Sequence, residues 1–188
     1  MKTIFFVTTN KGKAREVKAI LKGFRVVVKS VELHEAKHLT HEQLVKRKAR
    51  DAFKAVGKPV FVEDTGLFVE GFKEYPGLRS REVYEKLGLE GFVKKCGGRK
   101  AFFRTVVGYC NGKKTVIAGK AICRGRISKR VEKKAFGGLP YLRVFIPEGH
   151  GVPVAAFGKK DFDLFFTKLN HRAEAFRKAA DLIFNKFQ

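Results

Sequence analysis

The chain of 188 residues has the length of one domain, or of two lobes that share a core, which excludes a large multidomain assembly. Hydrophobic residues make up 44% of it, with 19 Phe, so a folded core is expected and end-to-end disorder is excluded. Lys and Arg number 41 against 18 Asp and Glu, a formal net charge of +23, which excludes a neutral surface.

The first third of the chain alternates between strand and helix patterns. The strand patterns are short apolar runs rich in β-branched and aromatic residues, and in the helix patterns apolar residues recur at intervals of about three or four. In chain order the predicted elements are a strand at 3–8, a helix at 14–21, a strand at 25–31, a helix at 42–56 and a strand at 60–62 that ends at the carboxylate pair Glu63 and Asp64. The order βαβαβ is typical of a parallel sheet with packed helices.

Antiparallel strands are predicted in the second half. Residues 110–113, C-N-G-K, contain Asn-Gly, a strong hairpin signal, between two strand-like runs. In chain order the predictions are a turn at 75–77, short helices at 81–87 and 89–95, strands at 101–109, 114–123 and 142–146, and a helix at 171–187. We therefore predict a single α/β domain over residues 1–188, in which the parallel part of a mixed sheet is followed by an antiparallel extension.

The cysteines and the N-terminal residues indicate in which cellular compartment the protein is expected. Cys96, Cys110 and Cys123 are an odd number without CxxC spacing or a histidine at metal-ligand spacing, so they indicate neither disulfides nor zinc. The N-terminus lacks the apolar stretch and cleavage site of a signal peptide, and no apolar run is long enough to cross a membrane. A cytoplasmic protein with no membrane partner is therefore predicted.

Residues 9–13, T-N-K-G-K, join the first predicted strand to the first predicted helix. Free backbone N–H groups and the helix dipole favour an anion at such a position, and Lys11 and Lys13 add positive charge. A phosphate-binding turn is one interpretation. An ordinary turn that contains glycine is the other, because the sequence is not a Walker A motif.

Glu63 and Asp64 are candidates for a metal site, because carboxylates at the end of a strand beside a phosphate turn can hold Mg²⁺ with a triphosphate. Glu35, in the loop after the second predicted strand, is a candidate for a further oxygen ligand. The alternative is that Asp64 caps a turn at Thr65 and Gly66 and that Glu35 is solvated.

Seven motifs resemble those of the inosine-triphosphate pyrophosphatase family and follow the family's order over essentially the whole chain. They are T-N-K-G-K-A-R-E-V at 9–17, V-E-D-T-G-L at 62–67, Y-P-G at 75–77, G-R-I-S at 125–128, F-G-x-x-P at 136–140, F-I-P-E-G at 145–149 and N-H-R-A at 170–173. The resemblance implies an elongated α/β fold with two lobes around a cleft that share one sheet, usually as a homodimer. It also implies Mg²⁺-dependent hydrolysis of non-canonical purine nucleoside triphosphates to monophosphates and pyrophosphate.

The resemblance further implies roles for individual residues. In chain order they are phosphate contacts by Thr9, Asn10 and Lys13, a metal ligand at Glu35, a triphosphate contact and catalytic role for Lys48, a metal ligand and catalytic role for Asp64, stacking on the base by Phe136, and recognition of the base oxygen by His171 and Arg172.

The chain departs from the family pattern near its C-terminus. The pattern F-G-[YW]-D-P becomes F-G-G-L-P, with Leu139 in place of an aspartate that faces the base. The pattern E-K-N-x-x-S-H-R becomes F-F-T-K-L-N-H-R, with Phe166 in place of a phosphate-binding lysine and Asn170 in place of serine. Each lost charge is expected to cost about 2–4 kcal/mol of transition-state stabilisation, so weak or absent catalysis is predicted. The alternative is a divergent enzyme in which Lys168 replaces the missing lysine.

The basic residues form runs that are too numerous for one nucleotide, and they suit phosphate contacts along an extended nucleic acid. Structured RNA is preferred to duplex DNA, because the sequence contains no helix-turn-helix or zinc-finger motif. The candidate nucleic-acid-binding residues are Lys46, Arg47, Arg50, Lys54, Lys94, Lys95, Arg99, Lys100, Arg124, Arg126, Lys129, Arg130, Lys133 and Lys134.

These observations favour a repurposed protein of this fold that binds structured RNA without a cofactor, with ribosomal RNA and ribosomal proteins as candidate partners. The alternative is an active Mg²⁺-dependent pyrophosphatase, a hydrolase of non-canonical purine nucleoside triphosphates. A thermophile surface rich in Lys is less favoured, because the acidic residues are too few to form ion-pair networks with the basic ones.

Overall fold

The protein is an α/β structure built on a mixed sheet, and the computed structural model describes residues 1–34, 39–134 and 139–185. The strands are β1 (Thr3–Val7), β2 (Arg25–Lys29), β3 (Val60–Val69), β4 (Pro76–Gly77), β5 (Lys100–Cys110), β6 (Thr115–Ile127) and β7 (Phe145–Pro147). Their order is β2-β1-β3-β5-β6-β7, with β4 paired to β3. Strand β1 is parallel to β2 and β3, whereas β3–β4 and β6–β7 are antiparallel, so the predicted mixed α/β class is confirmed.

Five α-helices accompany the sheet in the described residues. They are α1 (Lys11–Ile20), α2 (His41–Val56), α3 (Ser80–Cys96), α4 (Lys159–Leu164) and α5 (His171–Asn185). Helix α3 is broken at Gly88 (φ 61°, ψ −176°), at the junction of the two short helices that the sequence predicts. Within the described ranges, no helix has both the length and the apolarity that crossing a bilayer requires.

The chain divides into two compact units. Unit 1 comprises Met1–Asp64, Thr105–Ala121 and Asn170–Gln188, and unit 2 comprises Thr65–Arg104 and Ile122–Leu169. Strands β3, β5 and β6 contribute residues to both units. That the two units form a single domain stays a prediction.

Unit 1 contains two hydrophobic cores, one on each face of β1 and β3. The α1/α5 core contains Ile4, Phe6 and Phe61 of the strands, Val17 of α1, and Ala175, Phe176 and Ala179 of α5. The α2 core contains Val7, Val60 and Val62 of the strands, and Val45, Ala49 and Ala52 of α2. Successive residues of a strand point to opposite faces, so Phe61 enters one core and Val62 the other.

Strand β3 is longer than the sequence predicts. It does not end at Glu63 and Asp64 but continues to Val69, and its later part pairs with β4, where Leu67 lies opposite Gly77. The interpretation that Asp64 caps a turn is therefore wrong. Charged residues usually end a buried strand, but here both carboxylates have buried cationic partners that offset the cost of burial.

The predicted strand at 142–146 is also corrected. A 3-10 turn, Pro140–Arg143, occupies its first half, and the amide of Val144 donates a hydrogen bond of 3.1 Å to the carbonyl oxygen of Tyr141. Only Phe145–Pro147 remains extended as β7. The apolar pattern of this segment indicates burial and not backbone conformation: Leu142 lies in the turn, Val144 follows it, and both are buried.

Unit 2 has a core of its own, which includes the buried rings of Phe92, Phe145 and Phe165. Leu139 and Phe166 pack against this core. The ring centroid of Phe166 lies 4.3 Å from that of Phe162 and 5.7 Å from that of Phe165. Apolar packing in unit 2 therefore accounts for Leu139 and Phe166, the two residues that replace an aspartate and a lysine of the family pattern.

Gly119 of β6 lies against α5, and a Cβ atom there would overlap the backbone carbonyl oxygen of Ala175. We expect Gly119→Ala to lower the free energy of unfolding by about 1–3 kcal/mol, because backbone atoms cannot move aside as a side chain can. Urea denaturation measures the change. Gly23→Ala is the control, since a Cβ at Gly23 meets open space; equal stability of the two variants would contradict the packing seen here.

Candidate active site

The predicted phosphate turn lies at the N-terminus of α1. Asn10 is the N-cap of this helix, and its Oδ1 accepts a hydrogen bond of 3.0 Å from the backbone amide of Lys13. The amide of Asn10 in turn donates to Oγ1 of Thr8 at 3.1 Å, and Thr9 between them is exposed. These bonds fix the start of the helix, where unpaired backbone N–H groups and the dipole favour an anion.

Glu63 and Asp64 are consecutive residues of β3, so they point to opposite faces of the sheet. Asp64 continues the row of Val60 and Val62 toward α2, and Glu63 continues the row of Phe61 toward α1 and α5. The carboxylate pair that the sequence places together is therefore divided between two separate sets of partners.

Asp64 is held by two side chains of α2. Nζ of Lys48 donates a hydrogen bond of 2.8 Å to Oδ1. Nε2 of His41 lies 3.1 Å from Oδ2 and 3.2 Å from the carbonyl oxygen of Asp64. All three residues are buried. A capping box, in which Thr40 and Gln43 exchange side-chain and backbone hydrogen bonds, fixes the start of α2. It thereby fixes the position of His41, the first residue of that helix.

These partners determine the charge of Asp64. Burial alone would raise its pKa, but the hydrogen bond with His41 and the charges of Lys48 and Lys13 outweigh burial and hold the pKa of Asp64 well below its usual range. Asp64 is therefore ionised at neutral pH. In that state it accepts hydrogen bonds and binds cations, and it has no proton to donate.

Glu63 belongs to a second buried cluster, formed with Lys13, Glu16 and Arg172. Its Oε2 lies 3.2 Å from Nε of Arg172 and 3.4 Å from Nζ of Lys13. A second nitrogen of Arg172, Nη1, lies 2.6 Å from Oε2 of Glu16. Arg172 thus joins α5 to both β3 and α1, and the Glu63 side chain is completely buried.

Burial and charge act in opposite directions in this cluster. Burial raises the pKa of Glu16, although Arg172 opposes the rise. Burial alone would lower the pKa of Arg172, but the charges of Glu63 and Glu16 outweigh it and raise that pKa above its usual value. Arg172 is therefore a permanent buried cation, which compensates two carboxylates that would otherwise be costly inside the fold.

Helix α5 begins directly after Asn170, whose Oδ1 accepts a hydrogen bond of 2.7 Å from the amide of Ala173. Asparagine and serine are both good N-caps, so this departure from the family pattern keeps the helix start. His171, the first residue of α5, is buried, and burial together with Arg172 lowers its pKa well below 6.5. His171 is therefore neutral at pH 7, with one nitrogen that donates and one that accepts.

The structure brings most of the sequence-predicted site residues together in unit 1. The N-terminus of α1 contains Asn10 and Lys13. The cluster around Asp64 includes Lys48. The cluster around Glu63 includes Lys13 and Arg172, with His171 beside it. Glu35 and Phe136 lie outside the described residues.

Two residues of these clusters, His41 and Glu16, are absent from the residues predicted from the sequence. A signal for each is the helical spacing: His41 precedes Lys48 by seven residues, which is two turns of α2, and Glu16 follows Lys13 by three residues on α1. Such spacing shows that two residues share a face of one helix. It does not show which strand residue that face meets.

The carboxylate oxygens of Asp64 are chemically suited to Mg²⁺. Within residues 1–34, 39–134 and 139–185, no three acidic, histidine or cysteine side chains converge as a complete metal cage. Mg²⁺ does not need one, because it usually binds one or two carboxylates together with substrate phosphates and water. Asp64 has four lone-pair positions on its two oxygens, so contacts with Lys48 and His41 still leave room for a cation.

The predicted nucleic-acid-binding residues are all exposed, and they are divided between α2 in unit 1 and several segments of unit 2. Some have local partners: Nε of Arg47 lies 3.8 Å from Asp51, and Nζ of Lys95 lies 4.1 Å from the ring centroid of Tyr75. Their arrangement in each unit is that of a solvated surface, with exposed charges beside an occasional ring or carboxylate.

Comparison with known protein families and curated proteins gives consistent results. The model of the Ham1 family matches residues 4–182. A dITP/XTP pyrophosphatase of Methanopyrus kandleri is 35% identical over 185 residues, which cover 95% of this chain and 94% of that protein. A dITP/XTP pyrophosphatase of Pyrococcus horikoshii is 37% identical over 158 residues, which cover 78% and 80% of the two chains.

Solved structures resemble the fold along almost its full length. A HAM1 protein from Coxiella burnetii has a TM-score of 0.79 and 19% identity, and the Ham1 protein of Staphylococcus aureus has a TM-score of 0.76 and 20% identity. Each similarity covers 98% of this chain and 100% of the other. The mixed α/β architecture is therefore shared with both proteins.

Arg172→Met tests the buried cluster. The substitution keeps much of the side-chain volume but leaves Glu63 and Glu16 without their shared cation, so we expect the free energy of unfolding to fall by about 3–5 kcal/mol. Urea denaturation at neutral pH measures it. Arg177→Met, at an exposed position of the same helix, is the matched control and should change stability by less than about 0.5 kcal/mol. Similar losses for both variants would contradict the cluster.

The lowered pKa of His171 predicts that the free energy of unfolding depends on pH. The unfolded chain binds a proton at this imidazole as the pH falls through 6.5, whereas the folded chain resists it, so stability is complete above pH 6.5 and is lost below it. Between about pH 7 and pH 5, the parent should lose up to about 1 kcal/mol more per pH unit than His171→Gln. Urea titrations at several pH values measure the slopes. His34→Gln, at an exposed position, should keep the parental slope; equal slopes for parent and His171→Gln would overturn the assignment.

Proposed function

The chain belongs to the Ham1 family, and on that premise we propose that it hydrolyses non-canonical purine nucleoside triphosphates, such as dITP and XTP, to a monophosphate and pyrophosphate. The main support is that relatives named dITP/XTP pyrophosphatases align with most of the chain at more than 30% identity. The motif resemblance to the inosine-triphosphate pyrophosphatase family is thereby confirmed.

The prediction that the protein is a repurposed binder of RNA or ribosomal components is wrong. It depended on the net charge of +23 and on exposed basic runs, whereas the relatives that align with 78–95% of the chain are named as nucleotide pyrophosphatases. A large positive charge has a simpler consequence in such a protein, because it attracts small polyanions, including nucleoside triphosphates.

The prediction of weak or absent catalysis depended on Leu139 and Phe166 and is not supported either. Both side chains pack against the core of unit 2, so their identity follows from apolar contacts there. The loss of a family-type lysine and aspartate at two positions does not remove Asp64, Lys48 or Lys13, whose contacts are intact in unit 1.

The N-terminus of α1 is the proposed phosphate site. Asn10 shapes the turn, Lys13 supplies a cation that is partly exposed, and Thr9 is accessible beside them. Backbone N–H groups of the first helical turn favour the triphosphate as they favour other anions. Lys48 adds a second cation near Asp64, so that charge on the phosphates is neutralised from two helices.

Asp64 is the proposed centre of the chemistry, with Lys48 as its catalytic partner. Because Asp64 is ionised at neutral pH, it can bind a cation or accept a hydrogen bond from the attacking water at Oδ1 or Oδ2. Mg²⁺ held by Asp64, with Glu35 as the second proposed ligand, would neutralise charge on the triphosphate when bound. Lys48 keeps Asp64 ionised and fixes the position of Oδ1.

The start of α5 is the proposed base site. Nδ2 of Asn170 is a buried donor that has no hydrogen-bond partner in the described part of the chain, and the neighbouring His171 is neutral. A purine with an oxygen at position 6 offers an acceptor to such a donor, whereas adenine offers an amino group there. We therefore expect XTP and dITP to be preferred to ATP.

Asp64→Asn tests the proposed chemistry. The amide keeps the size of the side chain but removes its charge, so we expect pyrophosphate release from XTP or dITP with Mg²⁺ to fall by about two orders of magnitude or more. For the parent, we expect ATP to be a poor substrate. A coupled pyrophosphate assay measures turnover. Asp181→Asn, an exposed carboxylate on α5, is the control and should keep parental activity.

Two results would contradict the proposed function. One is a parent protein that is folded by circular dichroism but releases no pyrophosphate from XTP, dITP or ITP in the presence of Mg²⁺. The other is equal turnover by the parent and Asp64→Asn.

A further inference from the structure

His41 is a buried polar residue that neither the sequence motifs nor the proposed mechanism assigns. It is the first residue of α2, and its side chain is 4% exposed. Nε2 lies within hydrogen-bond distance of two oxygens of Asp64, 3.1 Å from Oδ2 and 3.2 Å from the backbone carbonyl oxygen. The ring is therefore attached to the side chain and to the backbone of the same strand residue.

The geometry around Asp64 shows what the second contact adds. Lys48 binds Oδ1 at 2.8 Å, and with this bond alone the carboxylate could still turn about its Cβ–Cγ bond. His41 binds the other oxygen from a position two helical turns away on the same face of α2. Two donors on two different oxygens fix the plane of the carboxylate as well as its distance from α2.

We propose that His41 is a positioning residue for Asp64. The Nε2–H group of His41 donates to the Asp64 carboxylate and thereby fixes the direction of the remaining lone pairs of that carboxylate. The inference rests on the proposed function, in which these lone pairs face the metal ion or the attacking water. Groups that orient a functional side chain in this way typically change activity by about 10- to 100-fold when they are removed.

A purely structural role makes a different prediction. If His41 only fills space at the end of α2, an apolar side chain of similar size should replace it without loss of activity. The helix start does not depend on its imidazole, because Thr40 and Gln43 form the capping box. Substitutions at His41 therefore leave the capping box of α2 in place.

The experiment uses three variants that differ in the position of a donor. In His41→Gln the side-chain amide reaches about as far as Nε2, in His41→Asn it reaches only about as far as Nδ1, and His41→Leu has no donor. We expect His41→Gln to keep kcat within about threefold of the parent, and His41→Asn and His41→Leu to lower kcat by about 10-fold or more with little change in KM.

His150→Gln is the matched control, because this histidine contacts Glu148 and Phe157 in unit 2 and has no role in the proposed site. Circular dichroism and urea denaturation establish that each variant folds. Parental kcat in His41→Leu would overturn the proposal, and so would equal loss in all three His41 variants, since the position of the donor would then not matter.

A measurement without turnover separates this proposal from the proposed function. The ¹⁵N chemical shifts of the imidazole nitrogens, assigned by comparison with His41→Gln, report the hydrogen bond at Nε2 directly. We expect Asp64→Ala to shift the Nε2 resonance of His41 and to leave that of His150 unchanged. If the parent hydrolyses no nucleotide, the function fails, yet this shift still supports the positioning of Asp64. An unchanged Nε2 resonance overturns it whatever the activity.

Discussion

The burial of two adjacent carboxylates inside β3 is the constraint on which the site depends. A strand buried on both faces cannot contain Glu63 and Asp64 unless each has a cation, because an isolated charge away from water is too costly. Alternation along the strand sends the two side chains to opposite faces, so two separate sets of partners are needed. Lys48 and His41 on α2 meet Asp64, and Arg172 on α5 meets Glu63.

The same contacts hold the fold and prepare the proposed chemistry. Arg172 joins α5 to β3 and α1, and it stands next to His171 at the start of the helix. Lys13 follows the N-cap of α1 and also reaches Glu63, so the phosphate turn and the buried cluster are connected through one side chain. Substrate contacts proposed for unit 1 therefore arise from residues whose positions are already fixed by charge compensation.

Net charge is a weaker guide to the function of this chain than the short motifs it shares with the Ham1 family. The excess of Lys and Arg suggested a polyanion such as RNA, and the fourteen candidate residues are exposed and divided between both units. Leu139 and Phe166 suggested a lost enzyme, yet they are explained by the core of unit 2. The relatives that align with most of the chain are named as nucleotide pyrophosphatases, and they overturn both interpretations.

The sequence by itself determined the α/β class, nearly all of the strands and helices, the family, and most of the candidate residues, because turns, helical spacing and short motifs are local properties. It could not predict that β3 continues through two charges, that 142–143 form a 3-10 turn, or that His41 meets Asp64. The burial of charge in β3 depends on contacts between distant segments: Arg172 and Glu63 are 109 residues apart in the chain, and Arg172 and Glu16 are 156 apart. Only the tertiary structure decided them, since the free energy of a buried charge depends on which partner the fold brings within hydrogen-bond distance.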